Sequence, residues 1–156
     1  MKNTYDLLIG IDISKAMAYI ARRNFICKKV YGSLNSVVAD AHMMPFRNKF
    51  FDLIVSTGTL YHIRNPAVFF RECIRVVKDG GFAWIYELSH DVSDDELSLS
   101  SKNMKKSKFM LRITAALHGL PRREYNQGYI RDALIESSIK YRVMYNGVIT
   151  KLILIS

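Results

Sequence analysis

The stretch of sequence that decides the fold is LLIGIDIS, residues 7–14. A continuous apolar run reaches Gly10, a single carboxylate follows at Asp12, and Ser14 then opens a helical pattern. Continuous apolar runs are typical of strands that are buried on both faces of a parallel sheet. An acid at the end of such a strand binds the ribose hydroxyls in dinucleotide-type folds. The stretch therefore predicts a nucleotide-binding α/β domain with Asp12 at the ligand.

The position of this acid in the chain is unusual. In dinucleotide-type folds a glycine-rich turn precedes the acid by roughly 20 residues. Here only eleven residues precede Asp12, and no G-x-G occurs anywhere in the chain. We therefore expect a nucleotide-binding domain that begins one strand late.

Composition indicates one globular domain. The chain has 156 residues, of which 49% are apolar and 24% are charged, so it can bury a sizeable core. The net charge of +9 is spread out, except that residues 102–123 hold seven basic residues and no acidic one. A solvated basic face explains this excess better than an anionic substrate, a membrane surface or RNA. With no secretory pattern and no membrane span in the sequence, we expect a cytoplasmic protein.

Strands and helices alternate in the first half of the chain. The pattern predicts strands at 7–11, 36–39, 51–56 and 82–86, with helices at 15–23 and 66–78. Ser14 is the expected N-cap of the first helix, and Asp79-Gly80-Gly81 is expected to end the second. Such alternation predicts a parallel sheet covered by helices on both faces.

The second half has a different pattern. Residues 91–101 are polar and predict a loop or a short capped turn, whereas 102–117 predict a helix that buries Met110, Ile113 and Leu117. A further helix is expected at 129–137. Asn146-Gly147 between two β-rich runs predicts a C-terminal antiparallel hairpin.

Three motifs occur in a recognisable order: GIDIS at 10–14, ADAHMMPFRNKFFDLIVS at 39–56, and LYHIRNPAVFFRECIRVVKDGGFAWIYE at 60–87. With them the chain resembles the class I S-adenosylmethionine-dependent methyltransferases, in the type 11 branch that contains ubiquinone and menaquinone biosynthesis enzymes. The resemblance implies a Rossmann-like sheet, mostly parallel, with the antiparallel hairpin at its C-terminal end.

The resemblance also implies one domain over residues 1–156. Residues 1–90 would form the cofactor side, 91–128 a substrate-covering insertion, and 129–156 the last helix and hairpin. The family's first strand, glycine-rich turn and first helix have no counterpart, so the resemblance implies a domain truncated at its N-terminus. Three explanations are open: the flanking strands pair directly, a partner chain or swapped copy completes the sheet, or the natural N-terminus is absent.

The cofactor implied by the resemblance is S-adenosylmethionine. Its expected binding residues are Asp12, Ile13, Asp40, Ala41, Ser56 and Thr57. Asp12 matches the acid on the ribose hydroxyls, Asp40 the acceptor for the adenine amino group, and Ile13 the residue that packs on adenine. Ser56 and Thr57 end the strand whose loop passes the methionine part. The alternatives are a helix-capping Asp12, a turn-forming Asp40 and a core Ile13.

Substrate-side residues follow the third strand of the pattern. Tyr61 and His62 match the position where the family's substrate approaches the methyl group, and His62 is either a general base or a polar packing residue. In the basic segment, Lys105, Lys108 and Arg112 are expected to share one helix face, and Lys105 and Arg112 are expected either to bind an anionic substrate or to be solvated. The remaining histidines lack ligand spacing, so no metal site is expected.

The function implied is methyl transfer from S-adenosylmethionine to a small-molecule or lipid-like acceptor. One alternative is a non-catalytic methyltransferase-like subunit, completed by a partner chain or by the second copy of a homodimer. A second alternative is an RNA methyltransferase or RNA-binding module. Nucleic acid is not favoured, because Phe109 is the only aromatic residue within the basic segment 102–123.

Overall fold

The structure is a computed structural model that describes residues 7–27 and 34–156. The chain divides into two compact units, Met1–Pro45 and Phe46–Ser156. Within the described ranges, no helix combines the length and the apolar character needed to cross a membrane.

The first unit is a strand–helix–strand arrangement. Its elements are β1 (Leu8–Asp12), α1 (Lys15–Cys27) and β2 (Leu34–Val38). The two strands are parallel, with Asp12 opposite Val38. The N–H of Ala39 donates to the carbonyl oxygen of Asp12 at 3.0 Å, so the ladder continues to the last residue of β1. The predicted parallel pairing is confirmed.

Helix α1 begins where the sequence predicts. The Ser14 hydroxyl oxygen accepts from the Met17 N–H at 3.3 Å, so Ser14 caps the helix as expected. The helix continues to Cys27, four residues beyond its predicted end. Ala18 is buried, whereas Met17 and Ile20 are exposed.

The second unit contains a four-stranded mixed sheet. Its strands are β3 (Phe51–Thr57), β4 (Val77–Leu88), β5 (Lys140–Asn146) and β6 (Ile149–Ile155), in the order β3-β4-β6-β5. β3 and β4 are parallel, and the other two pairings are antiparallel. Gly147 has φ of 55°, which the hairpin turn requires and glycine adopts without strain. The predicted hairpin and mixed sheet are confirmed.

Helices connect these strands. They are α2 (Pro66–Val76), α3 (Asp94–Met104), α4 (Lys108–His118), α5 (Arg123–Gln127) and α6 (Tyr129–Ser137). At the start of α2, the Asn65 side chain accepts from the Val68 N–H at 3.1 Å. Pro66 occupies the first turn, where its missing N–H costs no hydrogen bond.

Three predictions about local structure are wrong. The helix predicted over 102–117 is interrupted, because α3 continues to Met104 and α4 begins at Lys108. Residues 91–101 do not form a loop, because Ser93 and Glu96 form a reciprocal capping box that starts α3. Asp79-Gly80-Gly81 does not separate α2 from the next strand. β4 already begins at Val77, and Gly80, with φ of 76°, lies within an irregularity of its pairing with β3.

The core of the second unit lies between the sheet and the helices that cover it. Its largest fully buried apolar side chains come from α2, α6, β4, β6 and the turn after β3: Phe70, Leu60, Ile85, Ile130, Leu134, Leu152, Leu154 and Val76. The buried Cys73 thiol is free, and burial raises its pKa.

The strands β1 and β3 belong to different sheets in the described part of the chain. The explanation that these two strands pair directly is therefore wrong for the residues described. The division into 1–90, 91–128 and 129–156 stays a prediction.

Candidate functional site

In the first unit, Asp12 lies at the carboxyl end of β1. Its Oδ1 accepts from the Ser14 N–H at 2.8 Å, which orients the carboxylate at the start of α1. The residue is half-buried, and no hydrogen bond to its second oxygen is seen from the described residues. A carboxylate held in this way can accept from two hydroxyls of a vicinal diol.

Asp40 follows the carboxyl end of the neighbouring strand β2. Its Oδ1 accepts from the His42 N–H at 2.8 Å and lies 2.6 Å from His42 Nδ1. The Asp40 carbonyl oxygen also accepts from the Met43 N–H at 3.0 Å, which closes a turn around Ala41. Because β1 and β2 are adjacent and parallel, Asp12 and Asp40 follow the same edge of this two-stranded sheet.

Ile13 lies directly after β1 and is 72% exposed. The interpretation of Ile13 as a core residue is therefore wrong. An exposed β-branched apolar side chain beside an oriented carboxylate presents a surface on which a flat aromatic ligand can pack. The first unit thus brings Asp12, Ile13, Asp40 and Ala41 to neighbouring strand ends.

In the second unit, Ser56 and Thr57 end β3 and lead into a tight turn. The Ser56 hydroxyl donates to Thr59 Oγ1 at 3.0 Å, and the Thr59 hydroxyl donates to the Thr57 carbonyl at 3.1 Å. Gly58 has φ of 63°, and its N–H donates to the Tyr86 carbonyl at 2.8 Å. These bonds fix the backbone that follows the strand.

A buried acid, Glu87, holds the same turn from β4. Its Oε1 accepts from the Thr59 N–H at 2.8 Å and from the Leu60 N–H at 2.6 Å. The residue is only 2% exposed. The sequence analysis missed it, although strand alternation puts Glu87 in the same inward row as Ala83 and Ile85.

Glu87 lies in an apolar environment, in which its hydrogen-bonding capacity is only partly used. Among the described residues, neither its Oε2 nor the buried Tyr125 hydroxyl has a hydrogen-bond partner. Burial raises the pKa of Glu87, and the amides of Leu60 and Thr59 oppose that rise. Burial and then the charge of Glu87 raise the pKa of Tyr125. The charge of Glu87 therefore disfavours ionisation of the Tyr125 phenol.

The turn held by Glu87 carries the two predicted substrate-side residues. Leu60–His62 forms one turn of 3₁₀ helix, in which Leu60 is fully buried while Tyr61 and His62 are exposed. The His62 ring lies 5.3 Å from the Tyr61 ring and 6.1 Å from that of His118, at the end of α4, between centroids. Glu87 thus fixes the backbone from which these rings project.

The two basic candidates are not on one helix face. Lys105 is the left-handed C-cap of α3, whereas Arg112 lies in α4 and forms an ion pair with Asp94. The expectation that Lys105 shares a helix face with Arg112 is therefore wrong. Arg112 contributes to a pocket of about 190 Å³, lined by Ser89, His90, Val92, Leu97, Arg112 and Ala115.

Another basic residue of this segment has a structural role. Arg122 donates to Glu96 Oε1 at 2.8 Å and to the Gly147 carbonyl at 2.6 Å, and its guanidinium lies over the Tyr145 ring. The bond from Arg122 lowers the pKa of Glu96. In the described ranges, no group of three or more histidine, cysteine or acidic side chains is arranged to hold a metal ion.

Comparison with known proteins identifies the family to which this geometry corresponds. A family model for a methyltransferase domain matches residues 1–85. A ubiquinone/menaquinone biosynthesis C-methyltransferase from Coxiella burnetii is 36% identical over 78 residues, which are 50% of this chain and 31% of that protein. The Shewanella woodyi protein of the same name is 27% identical over 150 residues, 88% of this chain and 59% of its own length. The chain thus spans less than two thirds of these relatives.

Solved structures share the fold. The chain superposes on a Methanococcus maripaludis protein assigned as an S-adenosyl-L-methionine-dependent methyltransferase with a TM-score of 0.72 and 23% identity, covering 95% of this chain and 66% of that one. For a SAM-dependent methyltransferase from Aquifex aeolicus the TM-score is 0.66 at 17% identity, covering 95% and 68%. The [4+2]-cyclase SpnF also matches, with a TM-score of 0.57 at 16% identity, covering 98% and 66%. At these identities the likeness establishes the fold.

Proposed function

Since this chain belongs to the methyltransferase domain family, in the class I S-adenosylmethionine-dependent branch of the ubiquinone/menaquinone biosynthesis enzymes, we propose that it binds S-adenosylmethionine and methylates a small-molecule or lipid-like acceptor. The observation that carries the proposal is the pair of carboxylates, Asp12 and Asp40, at adjacent ends of two parallel strands.

The described residues of the first unit fit the nucleoside part of this cofactor. Asp12 accepts from the ribose hydroxyls, because its Oδ1 is already oriented by the Ser14 N–H and its carboxylate has further acceptor capacity. Ile13, exposed beside it, packs against the adenine ring. Asp40 accepts from the adenine amino group, and the Ala41 backbone lies next to that contact.

In the second unit, Ser56 and Thr57 contact the methionine part from the end of β3. Their backbone is fixed by the Gly58 and Thr59 bonds, so the strand end is preorganised for such a contact. When bound, S-adenosylmethionine supplies a methyl group activated by its positive sulfur. The protein is then required mainly to align the acceptor, which lowers the need for acid–base groups.

Tyr61 and His62 are the residues proposed to meet the acceptor. Both are exposed on a turn whose amides are held by Glu87, so their positions are set by a buried group. His62 Nε2 or Nδ1 takes the proton that the acceptor loses on methylation. Arg112, at the 190 Å³ pocket, and Lys105 bind an anionic part of the acceptor.

The acceptor class is proposed from the names of the relatives, which are quinone-biosynthesis C-methyltransferases. The test is to incubate the chain with methyl-labelled S-adenosylmethionine and a reduced lipophilic quinone that lacks one ring methyl. We expect label in the extracted quinone, and less of it with His62→Ala. Cofactor binding without transfer contradicts the acceptor class, whereas absence of cofactor binding contradicts the proposed function itself.

One observation favours a second candidate, a subunit that acts only with a partner chain or a second copy. In the described residues β3 pairs on one side only, with β4, and its Leu53 and Val55 side chains are exposed. An edge strand of this kind accepts a further strand. If a second copy completes the sheet, methyl transfer per protein molecule rises with protein concentration; a constant specific activity contradicts this candidate.

A further inference from the structure

Helix α4 is apolar on two opposite faces. Leu111 and Ala115 are buried in the unit. Phe109, Ile113 and Leu117 recur every four residues on the opposite side, and Phe109 and Leu117 are 69% and 61% exposed. The sequence predicts Met110, Ile113 and Leu117 as the buried face, and that prediction is wrong. Periodicity reveals an apolar face but does not say which partner covers it.

Unpaired lysines surround the start of this exposed face. Four of them are exposed: Lys102, Lys105, Lys106 and Lys108. Among the described residues none of the four forms an ion pair with an acid, and no acidic residue occurs between Glu96 and Glu124. We call these lysines together with Phe109, Met110, Ile113 and Leu117 the α4 surface.

One of the four lysines occupies a place that its helix does not favour. Lys108 lies in the first turn of α4, which contains no acidic residue, and the Ser107 side chain makes no capping bond. The backbone N–H groups at a helix N-terminus favour negative charge, so Lys108 is locally unfavourable there, whereas Lys102 and Lys105 lie at the C-terminal end of α3, which favours positive charge. An anionic partner at this end would relieve the mutual repulsion of the lysines and would also complement the helix dipole.

We propose that the α4 surface docks on an anionic lipid bilayer, with its apolar side chains among the acyl chains and its lysines at the headgroup phosphates. An amphipathic helix with a basic flank and exposed Phe, Leu and Met is suited to lie in the membrane interface. Four clustered lysines beside such a helix bind the negative surface of anionic membranes.

Charge favours an anionic bilayer at the α4 surface over a second copy of the chain or a nucleic acid. A symmetric dimer through the α4 surface would bring no acidic residue to the four lysines, because the segment between Glu96 and Glu124 contains none. A nucleic acid would satisfy the lysines, yet Phe109 is the only aromatic residue on this surface for a base to stack on. An anionic bilayer satisfies both the lysines and the four apolar side chains.

This inference does not depend on the proposed methyl transfer, because it rests only on the exposure and charge of the α4 surface. If both hold, the α4 surface brings the chain to the phase in which a lipophilic acceptor dissolves. A chain that binds vesicles without binding cofactor, or the reverse, separates the two proposals.

The test is co-sedimentation of the full chain with vesicles of phosphatidylcholine and phosphatidylglycerol in equal parts, against pure phosphatidylcholine. We expect binding to be about tenfold or more tighter with the anionic vesicles. Phe109→Ser combined with Leu117→Ser, and separately Lys106→Gln with Lys108→Gln, should each weaken it by about tenfold. All four side chains are exposed, so folding should be retained, which circular dichroism checks.

Matched controls use exposed residues elsewhere in the second unit. Ile135→Ser should leave vesicle binding unchanged, as should Arg131→Gln with Lys140→Gln, which removes the same charge as the lysine pair. The proposal is overturned if the chain does not bind anionic vesicles. The same holds if Phe109→Ser with Leu117→Ser has no effect on vesicle binding while Lys106→Gln with Lys108→Gln abolishes binding to vesicles and to RNA alike. It is also overturned if Phe109→Ser with Leu117→Ser instead converts a dimer to a monomer.

Discussion

The acidic residues at strand ends differ between the two units of this chain. In the first unit, Asp12 is half-buried and Asp40 is exposed, and each carboxylate accepts from the backbone N–H two residues further along the chain. In the second unit, Glu87 is buried and accepts from two backbone amides that are 27 and 28 residues away in sequence. An accessible carboxylate can exchange its partners for a ligand, whereas a buried one fixes the backbone around it.

The distribution of core residues follows the same division. Among the described residues, the buried apolar side chains of the first unit are Ala18 and Met44, whereas the second unit also buries aromatic and branched side chains. Phe70, Ile85 and Leu134 are buried almost completely in the second unit. Among the described residues, the larger buried side chains thus lie in the second unit, and the accessible carboxylates proposed to bind the cofactor lie in the first.

The largest expected effect is the loss of stability when a buried core side chain of the second unit is removed. Phe70→Ala should lower the free energy of unfolding by about 3–5 kcal/mol, because it removes a fully buried ring and leaves a cavity. Urea denaturation followed by circular dichroism measures the loss. Phe109→Ala is the matched control, and its exposed ring should change stability by less than about 0.5 kcal/mol. Equal losses for the two variants would refute the assigned core.

A smaller effect is expected when the buried acid is removed. Glu87→Ala leaves the Thr59 and Leu60 amides without their acceptor, which should cost about 1–3 kcal/mol of unfolding free energy. Glu87→Gln keeps an acceptor oxygen and should cost less. Hydrogen exchange at the Thr59 and Leu60 amides should accelerate in the alanine variant and stay slow in the glutamine variant. Unchanged exchange in Glu87→Ala would show that Glu87 does not hold the turn.

The smallest expected effect is the pH dependence of the unfolding free energy that results from the titration of Glu87. Burial holds its pKa in the folded chain above the ordinary 4.5. The folded state therefore binds this proton more tightly than the unfolded state, so the associated stability is complete below pH 4.5 and is lost as the pH rises through the raised pKa. Glu87→Gln has no such titration. Relative to that variant, wild-type stability should fall as the pH rises above 4.5; a constant or rising difference contradicts the assignment.

Sequence patterns predicted the elements whose signals are local. The C-terminal hairpin, the Ser14 cap and the parallel pairing of the first two strands were predicted, although the hairpin turn lies at Gly147-Val148 and not at Asn146-Gly147, since Asn146 pairs with Ile149. Helix α3 was missed although Ser93-Asp94-Asp95-Glu96 is a capping-box sequence, because the polar run after it resembles a loop.

The positions of the candidate site residues were predictable where these residues follow strand ends, and not where they depend on burial. Asp12 and Asp40 could be located because an acid after an apolar strand has a fixed place in a parallel sheet. The exposed face of α4 and the contacts of Glu87 required the packing of distant segments. Alternation in β4 does indicate that Glu87 faces inward, but it does not identify the amides of Thr59 and Leu60 as its partners.

Calorimetric titration with S-adenosylhomocysteine tests most directly whether Asp12 of the first unit binds the cofactor. The titration compares the wild-type chain with the Asp12→Ala and Asp95→Ala variants. We predict that the wild type and the Asp95 control bind equally, since Asp95 is an exposed acid in α3. Asp12→Ala should bind about tenfold or more weakly, with the stability of the second unit unchanged. A wild-type chain that does not bind, or an Asp12→Ala variant that binds as tightly as the wild type, would contradict the account.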